Sequence, residues 1–309
     1  MPPFELAART VYWFFVYGLL GWCAEVVFAA VKEHRLVNRG FLCGPICPIY
    51  GFGMVALLYA ARALGAPGLP LSVPVVFVVG GVLTTLLELV AGWGLYRLFR
   101  IRWWDYTGIP FNLGGYICPQ FSLLWGLGSV VMVKGLHPLL ARLGDRIPLQ
   151  ALLPLDLILL LVFAVDTAAS AAAAAGLDRK LKEIDELRAR LRRTSDRLTE
   201  LLGTGAMTAD TLLDEQKLQL ALARMERRDD AEALREELTT HAAALRARLR
   251  EMDLDRFGAR RLLRAFPRMR SLRYGETLAA TREALRTLAR RAREARQAAR
   301  DAAKRRGRS

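Results

Sequence analysis

Five apolar runs, each close to the length needed to cross a hydrocarbon layer, fill the first 176 residues of the chain. They cover Val11–Val31, Gly44–Leu64, Val73–Tyr96, Leu113–Val133 and Leu152–Ala175, and about 20 apolar residues suffice for a membrane helix. In hydrocarbon every backbone amide must find its partner inside the protein, so runs of this kind are predicted to be helices. The charge lies elsewhere: residues 1–176 hold 11 Lys/Arg and 8 Asp/Glu, and residues 177–309 hold the other 34 and 22. The fold expected is all-α, with a polytopic membrane domain of about five spans over 1–176. A cytoplasmic helical hairpin or coiled coil over 177–254 and a basic helical tail over 255–309, disordered at its C-terminus, are expected to follow. The first run has almost no basic flank (Arg9 against Glu5) and no small-residue cleavage site after it, so it is expected to stay as a span.

Two stretches inside the membrane domain, about 10–64 and 72–135, say nearly the same thing. Each has a glutamate in an apolar run, a polar loop with an Asn, Ile-Cys-Pro, and an aromatic-Gly-x-Gly. The first copy is Glu25, Asn38, Ile46-Cys47-Pro48 and Tyr50-Gly51-Phe52-Gly53. The second is Glu88, Asn112, Ile117-Cys118-Pro119 and Trp125-Gly126-Leu127-Gly128. Glutamate and cysteine are 22 residues apart in one copy and 30 in the other, as in a diverged duplication.

Helical spacing puts Gly18, Gly21 and Ala29 on the face of Glu25, and Gly81, Thr84 and Gly92 at the same offsets from Glu88. Small-residue faces let helices approach closely and aim both carboxylates into the bundle. An ionisable group inside a membrane is costly and points to function when a partner can be named. Arg39 is the candidate for Glu25 and Arg102 for Glu88; a purely structural bond to a neighbouring helix is the alternative. The Pro- and Gly-rich starts at 40–53 and 110–119 are either capped helix starts, for which Pro at the first position is normal, or irregular backbone lining a shared vestibule. Trp103-Trp104-Asp105-Tyr106 reads as an interfacial aromatic anchor, with Asp105 the alternative site residue. In the fifth run, Asp156 is expected near the outer interface and Asp166 deeper.

Loop charge (Lys32, Arg35 and Arg39; Arg97, Arg100 and Arg102) only slightly exceeds that of the opposite loops (Arg62; Lys134, Arg142 and Arg146), and the Arg-rich tail decides for an N-terminus outside and a cytoplasmic C-terminus. Cys23, Cys43, Cys47 and Cys118 then lie in a reducing setting as free thiols, small apolar side chains rather than a metal clip.

The run Gly21-Trp22-x-x-Glu25, Asn38-Arg39-Gly40-Phe41-Leu42-x-Gly44-Pro45-Ile46-Cys47-Pro48-Ile49-Tyr50-Gly51 and the later Trp104-Asp105-Tyr106, Asn112 and Gly115 resemble the CmpB-like family of bacterial integral membrane proteins, the type IV ABC transporter permeases. The resemblance covers roughly residues 10–135, and Arg261-Leu-Leu-Arg-Ala-Phe-Pro-Arg-Met-Arg270 is similar to a tail segment of that family. It implies a multi-pass protein of the bacterial inner membrane with a permease role. It brings no substrate and no site residues.

In the tail, Leu177, Leu181, Ile184, Leu191, Leu198 and Leu202 form one apolar stripe, and Leu234, Leu238, Leu245 and Leu249 another. Gly203-Thr-Gly205 is expected to break the helix between them, with Thr208 or Asp210 capping the next. Residues 255–309 carry 18 Lys/Arg against 5 Asp/Glu. Attraction to anionic lipid headgroups is a simpler account of that excess than nucleic acid, because no recognition motif accompanies it.

Three functions compete. The leading one is a transport-type component, acting with a separate ATPase or alone. The chain has no Gly-x4-Gly-Lys-Ser/Thr phosphate loop, and five spans are few for one pathway, so a homo-oligomer is expected. The second is a membrane-anchored signalling or interaction scaffold whose helical tail recruits partners. The third, an enzyme using Glu25 and Glu88, is weakest, since His34, His137 and His241 are scattered. No cofactor, metal or catalytic residue is expected. The candidate intramembrane site is Glu25, Glu88, Asn38, Arg39, Asp105, Asn112, Cys47 and Cys118.

Overall fold

The structure, a computed structural model, describes residues 2–34, 37–65, 71–207, 214–254 and 258–306. Helix α1 covers Pro3–Glu33, α2 Pro48–Leu64 and α3 Val73–Phe99. A two-residue strand β1, Ile101–Arg102, precedes α4, Pro119–Val130. A π-helical turn, Val131–Leu136, joins α4 to α5, His137–Gly144. Helix α6 covers Leu149–Met207, α7 Asp214–Leu254 and α8 Ala259–Ala265; strand β2, Arg270–Ser271, and α9, Gly275–Arg306, complete the order.

Four of these helices are long and apolar enough to cross a membrane: Pro3–Val31, Val73–Phe99, Pro119–Gly144 and the first part of Leu149–Arg197. The second apolar run forms a helix of only 17 residues, because it cannot start before Pro48. The fourth likewise starts at Pro119. In both, the Ile-Cys-Pro motif sets the boundary, with the cysteine in extended conformation at the cap and the proline at the first helical position. The π turn has a similar cause. Pro138 has no N–H for the carbonyl of residue 134, and the His137 N–H reaches back five residues to Met132.

The described chain divides into two compact units, Met1–Asp178 with Phe257–Arg273, and Arg179–Arg256 with Tyr274–Ser309. In the first, α1 packs on α2, α2 on α3 and α3 on α4. The α1–α2 pair is antiparallel: the Cys47 amide donates to the Gly18 carbonyl at 2.9 Å, and the Thr10 and Tyr59 hydroxyls meet at 2.7 Å. Gly51 lies between, where a Cβ would sit 2.6 Å from the Phe14 carbonyl oxygen. Gly126 on α4 takes the same position against Phe77 of α3, at 3.0 Å. Phe14 and Phe77 are each eleven residues before their glutamate. Trp13, Tyr17, Met54 and Leu57 form a core cluster, capped by a 2.6 Å hydrogen bond between the Tyr17 hydroxyl and His137 Nδ1.

The outer surface of this unit is apolar. Val78, Val82, Leu86 and Val90 of α3 and Leu157, Ile158, Leu161 and Val165 of α6 are all more than half exposed. A water-soluble surface does not carry continuous stripes of this kind, and lipid covers them.

Segment 258–273 also belongs to this unit. Strands β1 and β2 pair antiparallel, Ile101 opposite Ser271 and Arg102 opposite Arg270.

In the second unit Asp185 accepts a hydrogen bond from the Thr277 hydroxyl, Arg188 reaches the Glu276 carbonyl at 3.4 Å, and Arg248 pairs with Glu183 at 2.8 Å. These contacts join α6, α7 and α9. Helix α6 continues through Gly203–Gly205 instead of breaking there. Thr208 and Asp210, expected as caps, lie outside the described residues, as do 307–309 at the end expected to be disordered.

Gly51→Ala is expected to destabilise the purified protein by about 1–3 kcal/mol, since neither the Phe14 backbone nor its ring has room for a methyl group. Gly128→Ala on α4, which meets open space, serves as the control. A thermal melt in detergent should show a lowered midpoint for the first and an unchanged or raised one for the second.

Candidate functional site

Glu25 and Glu88 lie on α1 and α3, each held by its own helix pair. The Tyr50 hydroxyl donates to Glu25 Oε1 at 2.7 Å, and Arg39 Nε stands 3.6 Å from Glu25 Oε2. The Tyr106 hydroxyl donates to Glu88 Oε1 at 2.9 Å, and the Trp125 indole N–H donates to Oε2 at 3.0 Å. Tyr50 and Trp125 are the aromatics of the two aromatic-Gly-x-Gly motifs. Their rings meet edge to face, 5.8 Å between centroids. A continuous path therefore runs from Glu25 through Tyr50 and Trp125 to Glu88.

The small-residue faces make this geometry possible. Gly21 leaves the space that the Tyr50 ring fills, Gly18 meets Ile46, and Gly81 lies against Gly126. Gly92 gives way to Trp104 and Tyr116. Ala29 is fully buried and Glu88 only 5% exposed. An indole N–H can only donate, so Glu88 Oε2 must accept.

The predicted Arg39–Glu25 pair is present. Arg102 does not pair with Glu88: it stands 3.7 Å from Asp105 and over the Tyr116 ring at 4.8 Å. Chain direction explains the difference, because β1 turns Arg102 into its own loop, while Tyr106, four residues on, returns to the carboxylate.

Asn38 and Asn112 organise loops and touch neither glutamate. Asn38 Oδ1 accepts from the Gly40 amide at 3.0 Å and the Trp22 indole at 2.9 Å, and its Nδ2 donates to the Cys43 carbonyl at 2.8 Å. Asn112 Oδ1 accepts from the Gly115 amide at 2.8 Å, and its Nδ2 donates to the Ile109 carbonyl at 2.8 Å. Gly115 adopts φ +76°, with Thr107, Arg102 and Asp105 all within 2.8 Å of where a Cβ would be. Cys47 and Cys118 are buried free thiols at the caps of α2 and α4. Among the described residues no group of His, Cys, Asp and Glu is placed to hold a metal ion.

In the stretch 103–106, expected as an interfacial aromatic anchor, Trp103 faces the protein interior. Trp103 is buried against Phe41, Phe99 and Phe266, and the Trp104 indole donates to the Tyr116 carbonyl at 2.9 Å. Asp105 sits between Arg102 at 3.7 Å and Arg270 at 3.3 Å, and accepts from the Thr107 amide at 3.1 Å. Burial alone would raise its pKa, but the hydrogen bonds from Thr107 and Arg270 and the charge of Arg102 outweigh that and hold it below the ordinary value.

Asp166 is a structural anchor: Oδ1 accepts from the Cys43 amide at 2.9 Å and Oδ2 from the Gly44 amide at 2.7 Å. Asp156, expected at an interface, is buried, and neither of its carboxylate oxygens has a hydrogen-bond partner among the described residues. Sequence reasoning did not assign Tyr50, Tyr106 and Trp125 as donors to the glutamates. The available signal was that two of the three head the repeated aromatic-Gly-x-Gly motifs.

Residues 12–171, just over half of the chain, match the family described as "Putative ABC-transporter type IV", and the chain belongs to that family. No curated protein and no solved structure matches it.

Glu88→Gln should be tolerated, because its carbonyl oxygen can face Trp125 while its amide donates to the Tyr106 oxygen. Glu88→Leu leaves two buried donors unpaired and should cost about 1–3 kcal/mol for each; melts of the two variants in detergent separate the cases. Asp105 gives a pH signature. Its folded pKa lies below the unfolded value of about 3.9, so its contribution is complete above that pH and is lost as pH falls through the folded value. Asp105→Asn should lower the melting midpoint at pH 7, with the difference closing as pH falls through the folded-state value.

Proposed function

We propose that this chain is the membrane-spanning, permease-type component of a transport system, with its site between the two helix pairs and facing the cytoplasm. Family membership supports the transporter class. One observation carries the site: the Tyr50–Trp125 edge contact links two intramembrane carboxylates, each supplied and held by a different helix pair. We read the pairs as a diverged duplication, parallel repeats related by an axis along the membrane normal. The Gly51–Phe14 and Gly126–Phe77 contacts, at equal offsets from the two glutamates, support that reading.

The topology that fits has the N-terminus outside a bacterial inner membrane and the chain beyond α6 in the cytoplasm. Segment 258–273, which follows α6 in sequence, touches the loops after both α1 and α3. Those loops share one side only if α2 also crosses, and its 17 residues give about 25 Å of helix, near the hydrocarbon thickness. With no phosphate loop of its own, the chain would take ATP-derived energy from a separate ATPase subunit on its cytoplasmic face. A homo-oligomer would complete the pathway, and anionic headgroups would meet the basic C-terminal helix.

A second reading, a membrane-anchored scaffold whose helical tail recruits partners, is favoured by one fact: every oxygen of Glu25 and Glu88 already has a donor or an ion partner inside the protein. Affinity purification from native membranes, followed by mass spectrometry, is expected to return a stoichiometric ATPase subunit. A lone homo-oligomer would overturn the ATPase-coupled form. In the recovered complex, the Glu25→Gln, Glu88→Gln double variant should keep its elution volume and lose substrate-stimulated ATP hydrolysis at least about tenfold, the loss of roughly 1.4 kcal/mol. Unfolding in place of inactivity would favour the scaffold.

A further inference from the structure

The loop after α1 is held from two sides. Asp166 takes its amides at Cys43 and Gly44, and Arg261 takes its carbonyls. Arg261 Nη1 donates to Gly40 at 3.0 Å and Leu42 at 2.8 Å, and Nη2 to Phe41 at 2.6 Å. Three successive carbonyls are thus gathered by one guanidinium, whose planar fork suits the task where an ammonium does not. Burial pushes the Arg261 pKa down from its ordinary value, though not to where it could lose its proton.

The same short segment grips the loop after α3. Strand β2 pairs with β1, Phe266 meets Trp103 at 4.8 Å between centroids, and Arg270 stands 3.3 Å from Asp105. Phe41 joins the two grips, since it offers its carbonyl to Arg261 and packs its ring against Trp103 at 5.2 Å. The buried side chains Leu262, Leu263, Ala265 and Met269 fix the segment in place.

Each grip falls beside a residue that holds a glutamate. Gly40 follows Arg39, the ion partner of Glu25. Asp105 precedes Tyr106, the hydrogen-bond donor to Glu88. We propose that residues 258–273 form a strap that ties the two loops together and positions Arg39 and Tyr106 on the paired carboxylates, so that releasing the strap at either end loosens both halves of the site. In sequence the strap lies between α7 and α9. Arg261 and Arg270 are positioning residues in this scheme. The inference rests on the paired-carboxylate site and not on what is transported.

Hydrogen exchange on the full-length protein in nanodiscs tests it. Arg261→Ala should speed amide exchange about tenfold in residues 37–47, as expected for losing hydrogen bonds to a charged group. It should also speed exchange in 101–106, the loop gripped by the other end of the strap. Asp105→Asn, which removes the Arg270 ion pair at the other end, should do the converse and raise exchange in 37–47. Should Arg261→Ala fail to fold, Arg261→Lys keeps the charge but cannot reach three carbonyls, and should move both loops in the same direction by less. Exchange that rises only in the loop nearest each substitution would overturn the strap and leave two independent staples. ATPase coupling retained in the Glu25→Gln, Glu88→Gln double variant would overturn the site reading while the exchange pattern of the Arg261 and Asp105 variants still held, so the two ideas fail separately.

Discussion

Glu25 and Glu88 each present two carboxylate oxygens to the helix bundle, and the arrangement of α1 to α4 follows from giving all four a donor or an ion partner. Hydrocarbon offers no water to complete the set, and an unsatisfied polar atom there costs several kcal/mol. The donors are Tyr50, Tyr106 and Trp125, with the guanidinium of Arg39 as an ion partner, long or rigid groups that must enter the bundle from a neighbouring element. Glycines at 21, 51, 81 and 126 clear the way for them or for the helix contacts they require. The bulky donor and the absent Cβ are two parts of one solution. A larger residue at Gly21 would displace Tyr50, and with it the donor to Glu25.

The loops follow the same accounting. Residues 40–44 have no helical or sheet partners, yet Asp166 takes two of their amides and Arg261 three of their carbonyls. After α3, Asn112, Gly115, Trp104 and Asp105 do the same with a larger loop. Irregular backbone is tolerated at 40–44 because charged side chains from distant parts of the chain stand in for a ladder. Both features read from sequence as helix punctuation, Pro48 and Pro119 above all, are real punctuation. What they introduce is a helix start with proline at its first position.

Much of this was legible in advance, for identifiable reasons. Apolar run length gave the long helices, because the hydrocarbon core sets that length. The offsets of Gly18, Gly21, Gly81 and Gly92 gave the faces on which the glutamates lie, since helical periodicity is strict. The Arg39–Glu25 pair was readable because a short loop leaves few alternatives. The Arg102–Glu88 pair failed at a strand that only appears once β2 is present to make it. Trp103 looked like an interfacial anchor because sequence does not reveal that Phe266, far along the chain, covers it. Local signals predict local geometry; the contacts of Arg261, Phe266 and Arg270 span more than 150 residues and no period or motif encodes them.

That long span also orders events during synthesis. Asp166 and Arg261 grip the same loop but leave the ribosome 95 residues apart, roughly 5–20 seconds at ordinary elongation rates. For that interval the newly inserted helices carry a half-finished loop, its amides anchored and its carbonyls at 40–42 without their guanidinium. Completion of the membrane unit is thus a late step, reached only after the long helical segment before residue 257 has been made. A nascent chain cut short in that segment would keep all its apolar helices and still lack the closing contact.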